Sequence, residues 1–313
     1  MLREGKREKC IYIRQKTKRW HTMMFNKHGS FYLRKSWPMK GLRAIKEEET
    51  IFSPQNELLA VDTLGIGRVM VISLRYWMSA IGLAEEGRDS NGRITLKPTE
   101  LGKIIEIYDP FFQSIGTAWL LHRNLVKNEE EATTWYWFFN EFDKKIFTQE
   151  EFLKSLKAYV LLHGETIADS SLKRDFDCLK KTYERAEFSD ISNYIEEGII
   201  SYFSQLDLIK QEGKKTYRKL TPIDKKLPEE VILYSILDDI ADNQDQVSIK
   251  ELYEREKYIG KVYNLSYRTL MNKLEDLERK GYIEIYSRFG HNHIEIKEKD
   301  KKTVLKNYYR KVM

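Results

Sequence analysis

The stretch "SYRTLMNKLEDLERKGYIEIYSRFGHNHIEIK", residues 266–297, decides the fold. Tyr267, Leu270, Leu274 and Leu277 recur at helical spacing, and Ser266 stands where a cap accepts the first free backbone N–H groups. Arg279-Lys280 places cations at the negative end of the helix dipole, and Gly281 stops the helix. Ile283 and Ile285 then alternate with polar residues, "SRFGHN" turns the chain, and Ile294 and Ile296 alternate back. A helix therefore runs straight into a two-stranded ribbon.

Upstream, Leu227-Pro228-Glu229-Glu230 opens another helix, with acids at its positive end and an apolar stripe at Leu233, Ile236, Leu237 and Ile240. A further helix begins at Ser248, where Glu251 completes the spacing of a capping box. Three helices followed by a hairpin predict a winged helix-turn-helix over residues 223–299.

Residues 23–107 read as a weaker copy. "SFYLRKSW" (30–37) alternates as a strand does, and Pro38 begins a helix. "GRVMVISLRYWMSAIGL" (67–83) is a helix on which Arg68, Arg75 and Ser79 share one narrow stripe. The rest of it is nearly all apolar, which predicts a mostly buried helix. An Asn91-Gly92 hairpin turn follows, then a strand with Ile94 and Leu96 on one face.

Residues 108–222 form a helical middle that closes on the hairpin-like "LDLIKQEGKKTYRKL". It contains "ATTWYWFFNEF" (132–142), with Trp135, Tyr136, Trp137, Phe138 and Phe139 in succession and Phe142 beyond. At about 100° per residue, consecutive rings surround a helix. A stacking platform for bases needs rings on one face, separated by polar residues. The run predicts a helix buried centrally between domains.

Length and composition agree with a multi-domain globular chain of 313 residues, 41% hydrophobic. No apolar run approaches the ~18 residues that span a bilayer. Two cysteines, Cys10 and Cys178, leave no disulfide framework and fit a reducing cytoplasm. Cys178 sits in an apolar-patterned helix as a buried thiol.

The net charge of +6 has one location. Residues 1–22 hold eight Lys/Arg against two Asp/Glu, and the rest of the chain balances. That block reads as a basic, disordered extension, with Met23 or Met24 as an alternative start, or else as an arm for phosphates. Residues 300–313 read as a basic tail.

Chemistry is sparse. His291 and His293 share a strand face without a third ligand nearby. Gly65-Ile66-Gly67 lacks the third glycine and the preceding strand of a dinucleotide loop. Asp207, Glu212 and Lys214 are spaced too closely for a nuclease acid-acid-lysine set holding Mg²⁺. No catalytic residue, cofactor or metal site is predicted.

Binding is better supported. Arg268, Asn272 and Arg279 lie on the outer face of the 266–280 helix with Thr269 beside them, and Arg and Asn are residues that read guanine and adenine. Arg288 and His291 on the wing would meet the DNA backbone, and Arg68 and Arg75 are the corresponding candidates in the N-terminal module. Against this, residues 223–299 carry 13 Lys/Arg and 16 Asp/Glu, where a dedicated DNA binder shows a basic footprint. Winged helices also serve protein contacts, so a protein scaffold is the main alternative and a metal-dependent nuclease a remote one.

The stretches "HGSFYLRKSWPMKGL", "LGIGRVMVISLRYWMSAIGL", "ITLKPTELGKII", "TAWLLHRNL", "ATTWYWFFNEF" and "SLKRDFDCLKKTY" together resemble an uncharacterised bacterial family, domain of unknown function 4007. The resemblance covers roughly residues 25–225 and begins near Phe25, outside the basic extension. It implies no catalytic residues. It implies a context beside genes similar to phosphoadenosine-phosphosulfate reductases and cysteine desulfurases, of the kind used in DNA phosphorothioation and phage defence. The expectation is a cytoplasmic, mainly α, non-enzymatic protein with winged-helix modules at both ends. Its expected partners are DNA, including a modified backbone, and the products of neighbouring sulfur-transfer or defence genes, without a membrane.

Overall fold

Pro38, which fits only the first turn of a helix, starts α1 (Trp37–Glu47). A 3-10 turn leads into α2 (Glu57–Leu64), which stops at Gly65 in the left-handed region. After α3 (Arg68–Ala80) come β1 (Ala84–Arg88) and β2 (Ile94–Pro98), paired antiparallel, and α4 (Glu100–Tyr108). The computed structural model describes residues 23–184, 200–241, 243–288 and 291–312, with the side chains of Ser287, Arg288 and His291 outside that description. Residues 1–22 therefore lie outside it too.

One expectation for this first part needs correction. Residues 30–37 form no strand; Arg34 makes an isolated bridge to Ser201 and α1 begins three residues later. Leu33 and Trp37 are buried as the alternation implied, but in an irregular segment and the first turn of a helix. Helix α3 is mostly buried, as expected, though not over its whole apolar surface. Val71, Leu74, Trp77 and Met78 face the core, while Val69 and Ile72 are more than half exposed. Gly41 lets α1 reach α3, because a Cβ there would lie 2.4 Å from the sulfur of Met78.

The middle runs α5 (Ile115–Lys127), α6 (Thr133–Asn140), β3 (Ile146–Thr148), α7 (Gln149–Leu162) and α8 (Asp169–Tyr183). A hairpin of β4 (Ile209–Gln211) and β5 (Thr216–Lys219) completes a small sheet in the order β3-β5-β4. Thr148 and Glu151 form a reciprocal capping box at the start of α7.

Every residue of α6 is buried. The rings point in different directions to different neighbours. Trp135 packs edge-on against Trp77 of α3 at 5.4 Å, and Trp137 against Phe152 of α7 at 5.1 Å. Phe139 meets His122 of α5 and Tyr183 of α8. Tyr136 donates to Glu256 at 2.8 Å, and Asn140 accepts the backbone N–H of Lys257 at 2.7 Å. The helix is a hub that ties the N-terminal, middle and C-terminal parts into one core.

The C-terminal part runs α9 (Glu229–Asp239), β6 (Gln246–Ser248), α10 (Ile249–Glu254), α11 (Ile259–Val262), α12 (Tyr267–Arg279), β7 (Ile283–Arg288), β8 (His291–Ile296) and α13 (Lys301–Val312). Its sheet has the order β6-β8-β7, so a third strand joins the expected hairpin. Ser266 caps α12 by accepting the N–H of Thr269, and Gly281 turns at φ +74°. Ser248 precedes α10 without a side-chain cap, so the expected capping box there does not form.

Residues 301–312, read as part of a basic tail, form α13, which packs Val304, Leu305, Tyr308 and Tyr309 inward. Tyr308 accepts the N–H of Gly116 at 3.0 Å, and Tyr309 shares a hydrogen bond of 2.9 Å with Thr117. Gly116 is required, since a Cβ would sit 2.4 Å from the Tyr308 ring. The chain is mainly α with small sheets, and among the described residues no helix is long and apolar enough to cross a membrane.

Candidate nucleic-acid interface

Helix α12 turns Leu270, Leu274 and Leu277 inward, which fixes what it shows to solvent. Arg268 and Asn272, one turn apart, are exposed. Neither has a partner among the described residues, so both are available to a ligand.

The neighbouring candidates are not equally available. Thr269 belongs to the cap: its N–H donates to the Ser266 hydroxyl at 3.1 Å, and the two hydroxyls are 2.8 Å apart. Arg279 is ion-paired with Asp276 on the same helix. Lys273, which sequence periodicity did not single out, is buried, donating to the Asp224 carbonyl at 2.7 Å and pairing with its carboxylate at 2.8 Å. It fastens α12 to the segment before α9. Arg288 and His291 on the hairpin lie outside the described side chains. His293 stacks on Tyr286 at 5.2 Å across the hairpin.

In the N-terminal part, Arg68 is paired with Glu57 of α2 at 2.7 Å and Arg75 with Glu86 of β1 at 3.3 Å. The structure does not bring them beside Arg268; they sit on α3, in the other terminal part. Around them Leu58 and Leu59 of α2 and Val69 and Ile72 of α3 are at least half exposed. The N-terminal part carries a two-stranded sheet and the C-terminal part a three-stranded one.

The buried titratable groups hold the fold. Ser30 donates its N–H to Nδ1 of His28, so the ring proton is on Nε2 and donates to Asp175 at 2.9 Å. Asp175 also accepts from the Asn26 N–H and the Thr134 hydroxyl. His122 hydrogen-bonds Tyr183 and the Val262 carbonyl, and burial lowers its pKa to about 3. Arg123 is buried with Asp238 and Asp239; the carboxylates outweigh desolvation and keep it charged. Cys178 is fully buried and its thiol is pushed up by burial and by Asp175, so it is inert.

Lys219 is the most unusual of these groups. Its ammonium donates to the carbonyls of Phe138 at 2.5 Å and Phe142 at 2.7 Å, and lies 4.4 Å from the Phe138 ring centre. It closes the carbonyl end of α6. Burial pulls its pKa down to about 7. No local signal marks it, because its partners lie some 80 residues upstream.

The weak motifs resolve into structure. Gly65 ends α2 and Gly67 precedes α3. Asp207 ends a 3-10 turn in the left-handed region, and Glu212 is held by Arg218 at 2.6 and 3.0 Å. Among the described residues no group of three or more His, Cys, Asp or Glu is placed to hold a metal ion.

Two solved structures share this fold. The magnesium ion-bound SspB crystal structure superposes with a TM-score of 0.79 at 21% identity, covering 92% of this chain and 88% of that one. The SspB crystal structure gives 0.77 at 23% identity, covering 93% and 90%. At such identities the likeness concerns the fold. No curated protein matches the chain. The family described as "Protein of unknown function (DUF4007)" matches residues 25–309, reaching into α13 and well beyond the stretches that first suggested it. The chain belongs to that family.

Proposed function

We propose that this chain is a non-enzymatic DNA-binding protein, an accessory of a DNA-modification complex linked to phosphorothioation and phage defence. In this reading both terminal parts are winged helix-turn-helix modules, and α12 is the recognition helix. The observation that carries it is the exposed, unpartnered pair Arg268 and Asn272 near the N-terminal end of α12, the end that such helices present to base edges. The order helix, strand, helix, helix, helix, hairpin and the sheet β6-β8-β7 support the module. The sulfur-transfer context rests on the family resemblance alone.

The test is duplex binding at low salt, with plain and phosphorothioated duplexes from the protein's own locus. Arg268→Ala should weaken cognate binding about tenfold or more, because a bidentate base contact is worth ~1–3 kcal/mol. Arg288→Ala should weaken all sequences alike and reduce the salt slope by about one, as loss of a phosphate contact does. Failure to bind either duplex would remove the reading.

A protein scaffold is the second reading, and the exposed Leu58, Leu59, Val69 and Ile72 favour it. Co-purification with a neighbouring gene product, lost in Ile72→Asp, would support it. One of the similar structures binds a magnesium ion, which is the motive for a metal-dependent nuclease on Asp207, Glu212 and Lys214. The Arg218 grip on Glu212 argues against that set.

A further inference from the structure

A cavity of about 660 Å³ opens between α7 and α8 under the β4–β5 turn. Its walls bring together side chains that are far apart in sequence: Lys154 and Lys157 of α7, Lys173 of α8 and Lys215 of the turn. Lys157 is paired with Asp169 at 2.7 Å. Lys154, Lys173 and Lys215 have no ion-pair partner among the described residues. Glu150 and Asp169 also line the cavity, so its wall holds four ammonium groups against two carboxylates. Leu153 and Leu172 supply an apolar floor.

We infer that this cavity binds a phosphate-bearing ligand. Three lysines without ion-pair partners among the described residues converge from three elements on a wall in which cations outnumber carboxylates two to one, and this excess of positive potential is stabilised by a multiply charged anion. Lysine is an established phosphate binder, acting as a point charge. The volume falls in the range of small-molecule sites, and the leucine floor suits the apolar face of a sugar or base. Such a phosphate reaches the site on a free nucleotide or along the backbone of a single strand. The inference is independent of α12, which carries none of these lysines.

The experiment is fluorescence anisotropy at low ionic strength on the full chain, with labelled ATP without added metal in one arm and labelled short oligothymidylate in the other. The variant Lys154→Ala/Lys173→Ala/Lys215→Ala should lose at least tenfold in affinity in one arm or both, and the arm affected identifies the source of the phosphate. All three positions are exposed, and an unchanged melting curve will show that the variant folds. Lys→Arg at the same positions should retain affinity within about threefold, since charge is kept. Lys46→Ala/Lys97→Ala/Lys103→Ala removes the same net charge from the N-terminal part and should leave both arms unchanged. The inference is overturned if the wild-type chain binds neither probe, if the cavity variant binds as the wild type does, or if the control variant loses as much.

Discussion

Helices α6 and α12 invert one another. Helix α6 has no solvent face: its rings are divided among α3, α5, α7 and α8, and its carbonyl end is closed by a buried lysine. Helix α12 buries three leucines and one lysine and leaves an arginine and an asparagine free on the other side. Solvent access decides where function can reside. A helix buried on every side positions other elements, whereas one with unpartnered polar groups on a rigid frame can read a ligand. Substitutions in α6 should therefore change stability and leave binding alone, and those on α12 the reverse.

The largest effect is expected at Trp137. Trp137→Ala should destabilise by ~3–5 kcal/mol, the usual cost of deleting a large buried aromatic, while the folded fraction keeps its duplex affinity. Denaturant unfolding checks the first part and titration at low temperature the second. Unchanged stability with weakened nucleic-acid binding would break the comparison, because α6 would then be a stacking surface.

A pH scan sharpens the same contrast. The Lys219 pKa is about 7 in the folded chain against 10.5 as the ordinary value. Between these values the unfolded chain holds the proton and the folded chain does not, so stability should rise with pH from about 7 to about 10.5. His122, at about 3 against 6.5, works the same way lower down, and stability should fall as pH drops through that window. Lys219→Met should flatten the upper slope in thermal unfolding at several pH values. A slope that survives the substitution would assign the effect to another group.

Smaller in energy, Arg268→Ala should cost about tenfold in duplex affinity, or ~1.4 kcal/mol, with no change in Tm. A Tm lowered in step with affinity would place Arg268 in the frame instead of the reading face. The smallest effect is expected at Arg68, whose pair with Glu57 is mostly exposed. Arg68→Ala should move stability by less than ~1 kcal/mol and duplex binding by less than about twofold. A larger loss of binding would give α3 the role assigned to α12.

What the sequence made legible was carried by local periodicity. The leucines of α12, the glycine that ends it, the Asn91-Gly92 turn and the rings surrounding α6 each state their environment within one or two turns. What it hid depends on distant pairing. The alternation at 30–37 was real, yet among the described residues the chain there makes a single isolated bridge, to Ser201. Strand β6 is three residues long and exists because β8 accepts it. Helix α13 buries four residues within a lysine-rich segment whose composition suggested a tail. At the candidate site, Arg68, Arg75 and Arg279 looked as free as Arg268 until Glu57, Glu86 and Asp276 were placed beside them. The lysine cavity drew on three elements and left no trace in any one of them.

The docking of α13 on α5 has a temporal consequence. Tyr308 and Ser114 are 194 residues apart, so the hydroxyl that meets the Gly116 N–H is synthesised long after Gly116 itself. At ~5–20 residues per second, a ribosome leaves that surface of α5 uncovered for ~10–40 seconds. Tyr108 of α4 waits likewise for Tyr309 to stack on it, and the middle of the chain stays open to chaperones and proteases until its cover arrives. Chains stalled before residue 301 should accordingly be cut near α5 under limited proteolysis, and released chains should resist; equal resistance in both would show that α5 closes without α13.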